Sequence, residues 1–260
     1  MRAFAEAYPD LTIVQQAAAQ IPWFHNCTIL DKIKDQKERH WYIAQTVQNG
    51  WSRDVLVHQI ESGLCSRQGM AITNFGTTLP QPESDLVQQL LKDPYYFEFL
   101  TLASEAFEND LERSLLEKLK DFLLELGSGF AFLGSQYHLE VGGRDFYLDL
   151  LFYHVKARCY FIVDLKVTEF EPEYVGKMGF YLAAADDLLR HPDDRPSVGL
   201  ILCKSKNGVV AEYAVRNSQA PMGISEYKLA EPLPEQIQLN LPTIEVLERE
   251  LKPFILDQRK

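Results

Sequence analysis

Between residues 130 and 167 the chain carries three strand-like stretches joined by two-residue connections, and no other feature restricts its fold as much. They run from Phe130 to Val141, from Arg144 to Val155 and from Arg158 to Val167, with Gly142-Gly143 and Lys156-Ala157 between them. A Gly-Gly pair accepts the positive φ angles of a tight hairpin, so antiparallel pairing is predicted. Upstream, a helix is predicted from about Thr101 to Leu126. Its apolar stripe is Leu111, Leu115, Leu116, Leu119, Phe122, Leu123 and Leu126, and Gly127 closes it. Downstream, Pro172 opens a helix with Val175, Met178, Leu182, Ala185 and Leu189 on one face, and Val198 to Cys203 reads as a buried strand. Helix, three antiparallel strands, helix, strand implies an α+β or α/β class with a mixed sheet flanked by helices.

The first 65 residues read as short helices. Asp35-Gln-Lys-Glu opens a periodic segment through Trp41, Ile43 and Val47, and Asn49-Gly50 stops it. Ser52 is placed to cap a further helix carrying Leu56, Ile60 and Leu64. Helix, glycine turn, helix is the outline of a helix-turn-helix unit, and also of any small bundle. Arg53, His58 and Gln59 are the polar residues its second helix could offer to DNA. From Cys65 to Ser84 the text turns to Gly, Thr, Asn and Pro, the composition of a linker or extended arm. The predicted division is therefore a helical, DNA-binding domain over 1–65, a linker over 66–100 and the sheet-bearing domain over 101–260.

The chain has 260 residues, 46% of them apolar, which is enough for one large core or two smaller ones. No run of eighteen apolar residues occurs, and the first residues lack the order of a secretory signal, so a cytoplasmic protein without a membrane span is expected. Cys27, Cys65, Cys159 and Cys203 lie far apart with no zinc-ligand spacing, which favours free, buried thiols. A formal charge of −11 opposes contact with nucleic acid unless basic residues gather on one face. A site that collects a divalent metal must itself be rich in carboxylates, which partly answers the objection. Neither a phosphate-binding GxxxxGK[ST] loop nor a GxSxG elbow is present.

The chemistry is predicted on the second and third strands. In FIVDLKV the period of two puts Ile162, Asp164 and Lys166 on one face, with Phe161, Val163, Leu165 and Val167 on the other. Charges buried in an apolar strand cost several kcal/mol each unless they are paired or bind a metal. An acid-x-Lys triplet alone is weak, since Asp35-Gln-Lys37, Glu226-Tyr-Lys228 and Glu250-Leu-Lys252 also occur. The setting of Asp164 and Lys166 is what separates them, together with Asp149 inside the apolar run FYLDLLF of the neighbouring strand. Two close carboxylates repel, and a hard divalent cation removes that penalty, with magnesium the expected occupant and manganese a substitute. Such an ion polarises a phosphoryl oxygen and activates water, while a lysine offsets charge developing at phosphorus. Glu112 falls in line with Leu116, Leu119 and Leu123 and is a candidate third acid, for catalysis and for the metal.

Longer motifs give these residues a family. AYPDLTIVQQ, IPWFHN, ERHWYIAQTVQNGWSRDVLVHQIESGL, TNFGTTLP, LLKDPYYFEFL, FLLELGSGFAFLG, LEVGGRDFYLDLLFYH, CYFIVDLKVTEFEPEYVGKMGFYL and GLILCKSKNGVVAEYA together resemble the bacterial YhcG-like family of the PD-(D/E)xK nuclease superfamily. The resemblance implies a restriction-endonuclease-like core with Asp149 as the "PD" acid, Asp164 as the "D/E" acid and Lys166 as the "K". Leu148 stands where the superfamily name has proline, and Asp164 where similar proteins have Glu, which shortens that side chain by one methylene. Lys177, on the following helix, takes the place of an auxiliary catalytic residue. Similar proteins also carry further helices ahead of this chain's start, so an incomplete N-terminal module is expected. The function so implied is a magnesium-dependent endonuclease acting on DNA, with Arg53, Lys204 and Lys206 as candidate nucleic-acid contacts. Cutting both strands of a duplex with one site per chain suits a homodimer. Two alternatives stay open: a non-catalytic module, with a degenerate nuclease fold, that binds nucleic acid or protein, and a nuclease directed at RNA.

Overall fold

A computed structural model describes residues 18–97, 100 and 107–229, together with Phe4, Glu6 and Tyr8. A 3-10 turn at Ala18–Gln20 leads into helices α1 (Trp23–Lys32), α2 (Gln36–Asn49) and α3 (Arg53–Glu61). The Asp35 carboxylate accepts from Glu38 N–H and Ser52 accepts from Val55 N–H, so both expected caps form. Gly50, at φ 62°, ends α2 in the left-handed region that glycine enters without steric cost. These helices close over their own apolar cluster, in which Ile29, Tyr42, Ile43 and Leu56 are fully buried.

The segment expected to be a linker is instead built into the sheet. It forms α4 (Leu64–Arg67), β1 (Ile72–Thr73), α5 (Phe75–Thr78), α6 (Glu83–Leu90) and β2 (Tyr95–Phe97). Its polar residues, which read as loop composition, satisfy buried backbone groups. Asn74 donates to the Val215, Ser218 and Ala220 carbonyls and accepts from Met222 N–H. Gln88 donates to the Gly69 and Ala71 carbonyls. A buried polar group that is fully bonded stabilises a fold as a solvated one cannot.

Next come α7 (Glu108–Glu117) and α8 (Leu119–Leu126), then β3 (Phe130–Val141), β4 (Arg144–His154), β5 (Cys159–Glu169), α9 (Glu173–Leu188), β6 (Val198–Ser205), α10 (Gly208–Arg216) and β7 (Met222–Leu229). The single helix expected from Thr101 is two, because Lys118 leaves helical geometry at φ −108° and ψ 32°; residues 101–106 lie outside the described ones. The apolar stripe keeps its phase across the break. Leu111, Leu115, Phe122 and Leu126 are buried, whereas Leu116, Leu119 and Leu123 are only partly covered.

The strands lie in the order β1, β7, β6, β5, β4, β3, with β2 also paired to β7. β3, β4 and β5 are antiparallel, with Gly142 and Gly143 turning the first hairpin at φ 60° and 73°. β5, β6 and β7 are parallel, so the sheet is mixed as predicted. Strand alternation divides the core. Phe152, Phe161, Val163, Leu165 and Leu200 pack with α6, α7 and α8, while Ile162, Ile201 and Ile224 pack with Met178, Leu182, Ala185, Ala211 and Val215 of α9 and α10. Among the described residues no helix is long and apolar enough to cross a membrane. All four cysteines are free; Cys159 and Cys203 are buried, Cys27 and Cys65 partly so.

Candidate active site

β4 and β5 bring the expected acids face to face. Their pairing is regular from His154–Cys159 to Leu150–Val163, and one further step sets Asp149 opposite Asp164. The ladder stops there because the Asp149 side chain replaces the backbone: its Oδ2 accepts from Leu165 N–H at 2.9 Å. On the other flank Asp149 faces Gln136, which holds φ 44°, and the pleat slips, since Leu148 packs on one face of the sheet and Leu150 on the other. This local irregularity lets an acid in a strand centre turn toward its neighbour.

Asp164 is 2% exposed and lies between two ammonium groups. Lys166 Nζ is 3.0 Å from Oδ2 and Lys177 Nζ is 3.0 Å from Oδ1. Lys166 is almost enclosed: its Nζ also donates to the Leu165 carbonyl at 2.9 Å, lies 3.3 Å from Glu108 and sits 5.3 Å from the centre of the Tyr174 ring. Burial, and then the Asp164 charge, raise the Asp149 pKa to about 6, while Leu165 N–H and the two lysines pull it back. For Lys166 and Lys177, burial favours the neutral amine, but the Asp164 carboxylate outweighs it and both end above the ordinary lysine value. The site is thus a buried acid pair under mutual repulsion, screened by two firmly charged cations.

This donor chemistry fits a hard divalent cation. Among the described residues both oxygens of the buried Asp164 meet lysine ammonium groups and no backbone donor, and Asp149 commits only one of its oxygens to the backbone. Two carboxylates that disfavour each other's charge are stabilised by an ion that accepts an oxygen from each. The expected third acid does not join them. Glu112 accepts from Gln136 Nε2 instead, with its pKa raised by burial, and among the described residues no three His, Cys, Asp or Glu side chains cluster as a metal site.

Other expectations fare unevenly. Arg53, His58 and Lys204 are exposed. Lys206 is withdrawn as a nucleic-acid contact, because its nearly buried ammonium is held by Asp93 at 2.6 Å and lies 3.9 Å from Glu226. Gln59 is likewise buried against the Leu124 carbonyl and cannot read a base edge. Sequence reading missed Glu108, although it stands one helical turn before Glu112 at i, i+4. It also missed Tyr174, whose hydroxyl bonds Thr168 at 3.1 Å, and Tyr227, which donates to the Lys166 carbonyl.

Residues 88–242 match the model of the YhcG PDDEXK nuclease domain. The chain belongs to that family. Residues 1–67 match the DUF1016 N-terminal domain. YhcG of Escherichia coli (strain K12) is 38% identical over 205 residues, covering 77% of this chain and 54% of YhcG, so the chain spans about half of that relative. Among solved structures, a repair endonuclease from Pyrococcus abyssi overlaps 51% of this chain and 50% of its own at 12% identity and a TM-score of 0.33. An EndoMS complex with double-stranded DNA overlaps 52% and 49% at 15% identity and a TM-score of 0.33. The YhcG assignment rests on the sequence match, and these partial overlaps add nothing to it.

Proposed function

We propose that this chain is a metal-dependent endonuclease that hydrolyses phosphodiester bonds of DNA. The observation that carries the reading is the convergence of Asp149, Asp164 and Lys166 where β4 and β5 meet. Asp149 and Asp164 would hold the ion; when bound, magnesium, or manganese in its place, supplies a Lewis acid at the phosphate. Lys166, fixed by Asp164, Glu108 and the Leu165 carbonyl, presents a charged ammonium that orients the attacking water and offsets charge developing at phosphorus. Lys177, reaching in from α9, is placed to meet a non-bridging phosphate oxygen. Glu108 and Tyr174 hold Lys166 in position. The exposed Arg53 and Lys204 are candidates for backbone phosphates beyond the scissile one. In the same reading residues 1–65 form the DNA-binding domain, the sheet-bearing segment that follows, β1 and β2 included, forms the nuclease domain, and two copies act together in a bacterial cytoplasm.

The test compares wild type with Asp149→Ala and Lys166→Ala on plasmid, linear, branched and single-stranded DNA and on RNA, in magnesium, manganese or EDTA. DNA cleavage that needs the metal and is lost in both variants is the expected result. Equal cleavage by all three proteins would remove the catalytic reading in favour of a binding module, and cleavage confined to RNA would change the substrate.

A further inference from the structure

Asp164 carries two ammonium groups, and they differ in their freedom to leave. The Lys166 side chain is 5% exposed and tied to Asp164, Glu108 and the Leu165 carbonyl. The Lys177 side chain is 42% exposed and, among the described residues, bonds only Asp164 Oδ1, while the centre of the Tyr181 ring lies 5.2 Å from Nζ. A lysine ammonium on a flexible four-carbon stem can swing to solvent without disturbing the backbone. Oδ1 of Asp164 cannot serve Lys177 and a cation at full strength together, and a dication a few ångströms from a retained ammonium meets direct repulsion.

Resting on the endonuclease reading above, we infer that Lys177 is a resident counter-ion that competes with the divalent metal for Asp164 and yields that place when a substrate phosphate receives its ammonium. Lys177 therefore keeps the free site weak for metal, and substrate and metal bind cooperatively through it. The sign follows from charge alone. Without substrate, moving Lys177 off Asp164 loses an ion pair, whereas with substrate the same motion exchanges a carboxylate for a phosphate oxygen at little net cost. The coupling is a reciprocal free energy between two ligands, so DNA must bind more tightly when metal is present by the same factor.

The experiment measures Mn2+ binding to the full chain by electron paramagnetic resonance or calorimetry, so that no turnover is needed. Lys177→Met keeps the stem and removes the charge. It is expected to bind Mn2+ about fivefold more tightly than wild type without DNA, the upper end of what a solvent-accessible ion pair contributes. Lys177→Arg keeps the charge and should bind as weakly as wild type, which separates charge from packing. Adding a phosphorothioate-substituted duplex should raise the wild-type affinity toward that of Lys177→Met. Equal Mn2+ affinity in wild type and Lys177→Met, or no change on adding the duplex, overturns the inference while leaving the metal site in place. If neither protein binds Mn2+, or if Asp149→Asn binds it as well as wild type, the endonuclease reading itself fails and the inference falls with it.

Discussion

Asp149→Asn should make the metal-free protein more stable while destroying its site. Asn keeps an oxygen for the Leu165 N–H but cannot carry charge against Asp164. The Asp149 pKa rises from an ordinary 3.8 to about 6. At ~1.36 kcal/mol for each tenfold in proton affinity, the ionised form costs the folded state about 3 kcal/mol. The sign follows by linkage. A folded pKa above the unfolded one means that the native state holds its proton while the unfolded chain has lost it. Stability therefore falls as the pH climbs from about 4 to about 6, and the full penalty persists above that. In EDTA at pH 8 the variant is expected to melt roughly 6–12 °C above wild type, taking ~2–4 °C per kcal/mol for a domain of this size. The gain should shrink to roughly half at pH 5, where Asp149 is mostly protonated in the native state. A differential thermal scan at the two pH values reads both quantities. A variant no more stable than wild type at pH 8, or a gain identical at pH 5, would refute the idea that Asp149 is held against Asp164.

Three further outcomes are expected. Lys166→Met should slow DNA nicking by about 100- to 1,000-fold, the scale on which a preorganised electrostatic donor acts, measured as single-turnover plasmid conversion. Glu125→Ala should cost ~3–5 kcal/mol in urea unfolding, because the buried Arg67 and Lys92 lose the acid that both now contact. Asn74→Ala should cost ~2–4 kcal/mol and speed proteolysis near residues 70–80, since the Met222 N–H and three carbonyls lose their partner together; cleavage no faster than wild type would mean that this segment does not depend on the sheet.

The elements whose sequence pattern equals their local physics were readable in advance. The Gly142-Gly143 hairpin, the alternation of FIVDLKV and the caps at Asp35 and Ser52 each need only neighbours in the chain, and each appears as read. What escaped reading depends on partners distant in sequence. Asn74 and Gln88 look like loop residues until the carbonyls of residues 215–220 and the edge at Gly69 are brought to them. The split at Lys118 is invisible because an apolar stripe runs through it without interruption, and the Gln136 side chain that engages Glu112 lies on a strand 24 residues further along the chain. Lys206 read as a free basic residue because nothing near it in sequence announces Asp93. The pairing of Asp149 with Asp164 was legible as a strand neighbourhood, but the slip at Asp149 and the positive φ at Gln136 that complete it were not.

Anomalous diffraction from crystals grown with manganese examines the proposed ion site most directly. One peak should lie within ~2.0–2.3 Å of oxygens from both Asp149 and Asp164, with Lys177 turned away from Asp164. A peak elsewhere on the molecule, or none with both carboxylates ordered and Lys177 still seated on Asp164, would contradict the assignment of these residues as a metal-dependent nuclease centre.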